Sequence, residues 1–208
     1  MKKYSLLLLI LFLSCKTEKN TLQPTGLVTS KAMVVSAREE ASQIGAQIMQ
    51  EGGNAFDAMI ATELALAVSY PYAGNIGGGG FMIYRKYNGE TGSLDYREKA
   101  PLAATKDMYL DKNGDVIKGL STETGLAIGV PGTIAGVFAV HKKLGSLPMS
   151  EIMKPVIVLA EKGVIVTRRQ ERRLNDYRAE IIKVNGDKTL FATIFKQNDT
   201  IKYPVLAE

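Results

Sequence analysis

The stretch EGGNAFDAMIATELALAVS, residues 51–69, decides the fold because it contains a helix that is apolar on nearly every side. The glycine pair that opens it predicts the end of a preceding helix, since glycine adopts the left-handed conformation without a Cβ penalty. Asn54 predicts the N-cap of the next helix, and Asp57 adds negative charge near its positive end. A helix over residues 55–69 with so little polar surface must be buried on most sides. We therefore expect further layers of the fold to cover it.

Three neighbouring segments have clear periodicity. Residues 32–36 (AMVVS) form a short apolar run that predicts a buried strand. In residues 38–50 the apolar side chains recur at spacings of three and four, which predicts an amphipathic helix. Residues 133–144 follow a Pro-Gly pair and end before Gly145, which predicts another helix. The chain therefore mixes helices and strands.

A β-hairpin follows the central helix. Residues 81–84 (FMIY) predict one strand, Asn88-Gly89 predicts the turn, and residues 93–97 predict the second strand. By the period of two along a strand, Arg97 leaves the core face at the strand end.

A guanidinium in that position can bind a carboxylate through two parallel hydrogen bonds. From the residues alone, a surface ion pair of Arg97 with Asp95 or Glu98 remains the favoured alternative.

The glycine run GNIGGGG, residues 74–80, superficially suggests a phosphate-binding loop. Such loops need a strand before the glycines and a helix after them, so that helix N-terminal amides can hold the phosphate. Here the predicted helix precedes the glycines and the strand follows them. The run is instead expected to let another segment of backbone come close, which glycine permits.

Composition excludes several kinds of site. The 208 residues include one Cys, one His and no Trp, so a Cys/His zinc site and an intrachain disulfide are both excluded. Any catalytic triad would have to use His141, which lies near the end of a predicted helix and is expected to be structural. The 26 Lys and Arg against 21 Asp and Glu give a net charge of +5, which is too mild to argue for nucleic acid.

Two further motifs are expected to be structural. Asp111-Lys-Asn113-Gly-Asp115 begins like a calcium loop, but Val116 stands where glycine is needed and Thr122 where glutamate is needed. It is therefore expected to be a polar turn. The four arginines in residues 168–173 are mixed with acidic side chains and predict a solvated helix face, without nucleic-acid binding.

The N-terminal residues are typical of an export signal. Two lysines precede the apolar run of residues 6–13, and Cys15 follows directly after Ser14. We predict a lipoprotein-type signal peptide over residues 1–14, acylation of Cys15, a tether over residues 15–28 and a folded part over residues 29–208. The protein would then be secreted across the inner membrane and be periplasmic or at the cell surface, anchored to the membrane by lipid. Ordinary signal cleavage that leaves a free Cys15 thiol is the alternative.

Several motifs in one order resemble the N-terminal part of γ-glutamyltransferase, also called γ-glutamyltranspeptidase or glutathione hydrolase. They are residues 51–84, LDYREKAP at 94–101, GVPGTIAG at 129–136 and residues 147–166. The resemblance implies an α+β fold, an αββα sandwich of the N-terminal nucleophile hydrolase type, of which this chain would be an incomplete N-terminal portion. It also implies a precursor that cuts itself into a large and a small subunit, and it implies neither a cofactor nor a metal.

The resemblance also changes the interpretation of Arg97. In the family, a threonine at the start of the small subunit attacks the γ-glutamyl carbonyl of glutathione and related amides, and the glutamyl group passes to water or an amine. The arginine of the family's DFRE motif, which binds the α-carboxylate of the substrate, falls on Arg97. Asp95 and Glu98 would then orient its guanidinium.

No residue of this chain falls on the family's nucleophile. The sequence ends at Glu208, inside what should be the large subunit, and no threonine lies in a matching context. We therefore assign no catalytic residue, expect the chain alone to be inactive, and expect a small-subunit segment as its partner. The alternative is a non-catalytic lipoprotein, either a remnant or a module that binds amino acids or peptides.

Overall fold

The computed structural model describes residues 26–208, of which residues 34–208 form one compact unit. Residues 26–33 belong to a separate N-terminal unit, in which the Thr29 hydroxyl donates to the carbonyl of Ala32. The predicted signal peptide, Cys15 and most of the predicted tether lie outside the described residues. No helix within residues 26–208 is long and apolar enough to cross a membrane.

Two helices with well-defined ends begin the compact unit. Helix α1 spans Glu39–Gln50 and helix α2 spans Ala55–Ser69. Between them Gly52 has φ +99°, a conformation that favours glycine. The Asn54 side chain accepts hydrogen bonds from the first turn of α2, and the Asp57 carboxylate accepts one from the Asn54 amide, so the two form a capping box. The predicted helix boundary is therefore confirmed.

Helix α2 is the centre of the core. It packs against α1, against α3 (Thr133–Leu144) and against α4 (Met149–Lys162). Ten of its fifteen residues are buried, which confirms that other elements cover most of its surface. The largest fully buried apolar side chains around it are Ile48, Ile60, Val68, Val137, Val140, Ile152, Val164, Val166 and Ile201.

The N-terminus of α2 is fastened to the loop between α3 and α4 by a set of contacts that we call the Asp57 latch. Asp57 is fully buried, and its carboxylate accepts hydrogen bonds from the Asn54 amide at 2.9 Å, the Ser146 amide at 3.0 Å and the Ser146 hydroxyl at 2.5 Å. Burial alone would raise the pKa of Asp57, but these hydrogen bonds together lower it below its ordinary value.

His141 supports the same loop from α3. Its Nε2 lies 2.8 Å from the Leu147 carbonyl oxygen, which can only accept, so this nitrogen carries the proton. The contact agrees with the structural role expected for His141.

The predicted hairpin is present, with a shorter second strand than expected. Strand β1 (Phe81–Arg85) pairs antiparallel with β2 (Thr91–Asp95), and Met82 lies opposite Leu94 on the inner face. On the outer face Phe81 and Ile83 are 71% and 82% exposed. The prediction that the second strand reaches Arg97 is wrong, because the ladder ends at Asp95.

The elements that follow α4 are two short strands and three helices. Strand β3 (Val164–Ile165) pairs antiparallel with β4 (Thr200–Ile201). The helices are α5 (Arg168–Asp176), α6 (Arg178–Asn185) and the short α7 (Pro204–Ala207). The four arginines of α5 are all exposed, as a solvated face requires.

The strand predicted over residues 32–36 is absent from the structure. This segment joins no ladder, and the two sheets in the described part of the chain contain only β1 with β2 and β3 with β4. Val35 is 81% exposed, so the apolar run is not buried either. An apolar, β-branched segment becomes a strand only where a partner strand is available.

The segment that begins like a calcium loop is a polar turn, as expected. The Asp111 Oδ1 accepts hydrogen bonds from the amides of Asn113 and Asp115 at 2.8 and 3.0 Å. Gly114 has φ +89°, which closes the turn.

Candidate functional site

Arg97 lies just beyond β2, in a short stretch that is fixed at both ends. We call residues 96–99 the Arg97 segment. On one side the backbones of Tyr96 and Gly80 exchange hydrogen bonds of 2.9 and 3.3 Å. On the other side Lys99 and Val130 exchange hydrogen bonds of 2.8 and 3.2 Å. Only Arg97 and Glu98 lie between these two anchors, so the backbone of the arginine is held in place.

Glycines surround the Arg97 segment because other backbone comes too close for a side chain. A Cβ at Gly79 would lie 2.7 Å from the Arg97 Cα, and a Cβ at Gly129 would lie 2.9 Å from the Glu98 Cβ. A Cβ at Gly132 would overlap the Tyr96 carbonyl oxygen. The expectation that the glycine run permits a close approach of backbone is confirmed at Gly79.

The start of α3 is fastened to the same glycine run. The amides of Gly132 and Thr133 both donate to the Gly78 carbonyl, at 2.8 and 3.1 Å, and the Thr133 hydroxyl donates to the Asn75 carbonyl at 3.2 Å. These helix N-terminal amides therefore bind protein backbone. The glycine run connects two parts of the fold.

The Arg97 guanidinium is available for a ligand. Within residues 26–208 it forms no ion pair and donates no hydrogen bond to a protein group. The guanidinium donates to neither Asp95 nor Glu98, so the orientation expected from these two carboxylates is not seen. The Asp95 Oδ1 instead accepts a hydrogen bond from the Arg97 backbone amide at 3.0 Å. The arginine is exposed and carries an unpaired charge among the described residues.

A groove of about 650 Å³ runs between the Arg97 segment and the first turns of α3. The far wall is made of small residues, including Gly132, Ala135, Gly136 and Ala139. The charged residues that line the groove are Arg97 and Lys99, which are positive, and Asp95 and Glu98, which are negative. A planar guanidinium that is held by its backbone and free at its tip is suited to bidentate binding of a carboxylate.

Sequence reasoning missed the contact between Tyr96 and Glu63 beneath this groove. The Tyr96 hydroxyl donates to the two carboxylate oxygens of Glu63, at 3.0 and 3.2 Å. Burial raises the pKa of Glu63, and burial together with the nearby Glu63 charge raises the pKa of Tyr96. Glu63 is the only charged residue in α2 besides the capping Asp57, and this isolated carboxylate in an apolar helix was the signal in the sequence.

Comparison with known proteins gives a consistent family assignment. The family model described as gamma-glutamyltranspeptidase matches residues 41–208. The chain is 52% identical over 134 residues to a glutathione hydrolase proenzyme of a Pseudomonas species, which covers 64% of this chain and 23% of that protein. It is 44% identical over 178 residues to the glutathione hydrolase proenzyme of Pseudomonas aeruginosa, which covers 84% of this chain and 31% of that protein.

A solved structure agrees with the sequence relatives. The γ-glutamyltranspeptidase of Helicobacter pylori is similar with a TM-score of 0.83 and 42% identity, over 88% of this chain and 53% of that one. This similarity confirms the predicted α+β fold of the N-terminal nucleophile hydrolase type, present here as a portion. The chain spans less than a third of the length of the two curated relatives. The chain belongs to the γ-glutamyltranspeptidase family.

Proposed function

We propose that this chain provides the carboxylate-binding part of a γ-glutamyltransferase or glutathione hydrolase. In this proposal Arg97 binds the α-carboxylate of the γ-glutamyl group of glutathione or a related amide. The threonine nucleophile lies in a further polypeptide segment, and residues 1–208 alone are inactive.

The single observation that carries the proposal is the unpaired guanidinium of Arg97 at the groove. Its backbone is anchored by the Tyr96–Gly80 and Lys99–Val130 hydrogen bonds, while its side chain forms no ion pair within residues 26–208. An unpaired charge on an anchored backbone can bind an anionic group without first breaking a contact. The α-carboxylate of a γ-glutamyl group matches it in charge and in planar geometry.

The outer face of the hairpin supports a partner segment. Phe81 and Ile83 present two large apolar side chains that are mostly exposed, and the sheet has only two strands in the described part of the chain. Sheets bury such a face against another layer. A small-subunit segment that supplies the nucleophile would cover this face and complete the sandwich.

Activity measurements test whether residues 1–208 need a further segment for catalysis. We expect residues 1–208 alone to show no hydrolysis of a γ-glutamyl anilide, and we expect activity when the chain is joined to the coding segment that follows codon 208. Activity from residues 1–208 alone would contradict the absence of a nucleophile. A chain that binds glutamate but stays inactive with every continuation would favour the non-catalytic binding module.

The role of Arg97 can be tested by substitution in the active polypeptide. Arg97→Ala should weaken transition-state binding by about 2 kcal/mol or more, because a charge-paired hydrogen bond to the substrate is lost. Arg97→Lys keeps the charge but not the bidentate geometry, and it should recover only part of the loss. Arg172→Ala, on the exposed face of α5, is the matched control and should leave kcat/KM unchanged. An unchanged kcat/KM in Arg97→Ala would remove Arg97 from the site.

We also propose that the protein is exported and anchored by a lipid on Cys15. The support is the sequence alone, with two lysines, an apolar run of eight residues and the Ser14-Cys15 pair. The mature protein should incorporate labelled palmitate and partition into detergent, and Cys15→Ser should abolish both. Incorporation of label by Cys15→Ser would contradict the anchor, whereas a cleaved but unlabelled wild-type protein would favour ordinary export.

A further inference from the structure

The contact between Tyr96 and Glu63 joins the Arg97 segment to the central helix. Glu63 lies in the middle of α2 and is half-buried. The Tyr96 hydroxyl is the one side-chain donor that reaches its carboxylate among residues 26–208, and no lysine or arginine of that part of the chain pairs with it. A partly buried carboxylate is normally stabilised by a cation or by several N–H donors. Here its hydrogen bonding depends on one phenol.

The Tyr96 ring is confined between two glycines. A Cβ at Gly80 would lie 2.9 Å from the Tyr96 Cε2, and a Cβ at Gly136 of α3 would overlap the ring at Cγ. The ring therefore fills the space between the glycine run and α3. Its hydroxyl end is then fixed by Glu63, so the side chain is restrained along its whole length.

Restraint of Tyr96 passes to Arg97 through the backbone. Tyr96 precedes Arg97 directly, and its amide and carbonyl pair with Gly80. The Arg97 Cα itself rests against Gly79. A shift of the Tyr96 ring would therefore move the backbone from which the Arg97 side chain extends.

We propose that the Tyr96–Glu63 hydrogen bond positions Arg97 for carboxylate binding, by locking the end of β2 onto α2. Tyr96 and Glu63 are positioning residues, and neither touches the substrate in this role. The inference rests on the proposed function of Arg97. It predicts that loss of the hydrogen bond leaves the fold intact but lets the Arg97 backbone move, so that a carboxylate binds less tightly.

The test is a nuclear magnetic resonance titration of the full chain with L-glutamate. In protein that contains isotope-labelled arginine, the Arg97 backbone amide signal is assigned by its loss in Arg97→Lys, and its heteronuclear Overhauser effect reports the order of the Arg97 backbone. Tyr96→Phe and Glu63→Leu should each weaken glutamate binding by about 3- to 10-fold, which corresponds to one hydrogen bond. Both should make the Arg97 signal more mobile, and the double variant should be no worse than either single variant.

Two controls separate positioning from general damage. Glu63→Gln keeps an oxygen that can accept from Tyr96, so it should restore most of the affinity and order. Tyr84→Phe removes a hydroxyl from the same hairpin and should change neither. Tyr96→Phe removes a single oxygen atom, so it decides the question even where Glu63→Leu does not fold.

The outcomes distinguish this inference from the proposed function. Unchanged affinity and unchanged Arg97 order in Tyr96→Phe would overturn the positioning role. A wild-type chain that shows no response to glutamate would count against carboxylate binding by Arg97, and the order of the Arg97 backbone amide in Tyr96→Phe would still decide whether Tyr96 fixes this backbone.

Discussion

Helix α2 carries two carboxylates in opposite electrostatic situations. Asp57, at the N-terminus, accepts hydrogen bonds from two backbone amides and a hydroxyl, and its pKa is lowered. Glu63, two turns further on, has one phenol as its donor, and burial raises its pKa. The surroundings of Asp57 thus favour its charged form, whereas the surroundings of Glu63 disfavour its charged form.

The difference separates the part of the molecule that holds the fold from the part that shapes the site. The carboxylate of the Asp57 latch accepts three hydrogen bonds and fastens α2 to the loop after α3. The Tyr96–Glu63 contact is sparsely bonded and lies beneath the Arg97 segment. Substitutions at the latch should therefore change stability, and substitutions around Arg97 should change binding.

The largest effect is expected at the latch. Asp57→Ala should lower the free energy of unfolding by about 3 kcal/mol, since it removes the capping box and leaves the Ser146 amide and hydroxyl without a buried acceptor. Urea denaturation of the full chain measures this loss. Asp107→Ala, which removes an exposed carboxylate, is the control and should stay within about 0.5 kcal/mol of wild type. A similar small change in Asp57→Ala would show that the latch does not hold the fold.

A steric substitution should affect both regions. Gly132→Ala should cost about 1 to 3 kcal/mol, because its Cβ overlaps the Tyr96 carbonyl oxygen and the backbone has to move. The same movement should weaken glutamate binding, since the carbonyl belongs to the Arg97 segment. Gly125→Ala adds a Cβ that meets nothing within 4 Å, and it should change neither quantity. If Gly132→Ala and Gly125→Ala had the same stability and the same affinity for glutamate, the close packing of Gly132 would be contradicted.

Glu63 and Asp57 should make smaller contributions, of opposite sign, to the pH dependence of the free energy of unfolding. Glu63 has a folded-state pKa above its unfolded value, so its contribution to stability is present below pH 4.5 and is lost as the pH rises through the folded pKa. Asp57 has a lowered folded-state pKa, so its contribution is present above pH 3.8 and is lost as the pH falls through that pKa.

Two isosteric variants separate these contributions. Relative to wild type, Glu63→Gln should gain stability as the pH rises above 4.5, whereas the deficit of Asp57→Asn should shrink as the pH falls below 3.8. Denaturation curves at a series of pH values measure both. Parallel pH profiles for the two variants would mean that the carboxylates do not differ as described.

The smallest stability change is expected at Arg97 itself. Arg97→Ala should alter the free energy of unfolding by less than about 0.5 kcal/mol, because the guanidinium forms no ion pair within residues 26–208. The same variant should lose glutamate binding. A destabilised Arg97→Ala would place Arg97 with the latch, as a structural residue.

The sequence predicted those features of the fold that depend on residues close together in the chain. Asn54 and Asp57 defined the start of α2, the apolar composition of α2 implied its burial, and the reversed order around the glycine run excluded a phosphate loop. Alternation along the hairpin placed Arg97 outside the core. Each of these features depends on neighbours in the chain.

The features that failed depend on contacts between distant residues. The strand predicted over residues 32–36 needed a partner that its sequence does not specify. The pairing of Tyr96 with Glu63 spans 33 residues, and the Asp57–Ser146 contact spans 89. The partner of Asp95 is a local exception: its carboxylate could accept from the Arg97 guanidinium or from the Arg97 backbone amide, and the structure shows the second.

The glycines that enclose the Arg97 segment also limit how this protein can be redesigned. A randomised library at those wall positions would consist mostly of destabilised variants, since even a methyl group collides with the backbone, with the Glu98 Cβ or with the Tyr96 ring. The tolerant positions are exposed residues that line the groove, such as Lys99, Ala135 and Ala139. Altered substrate range should therefore be sought there, with the glycine framework left untouched.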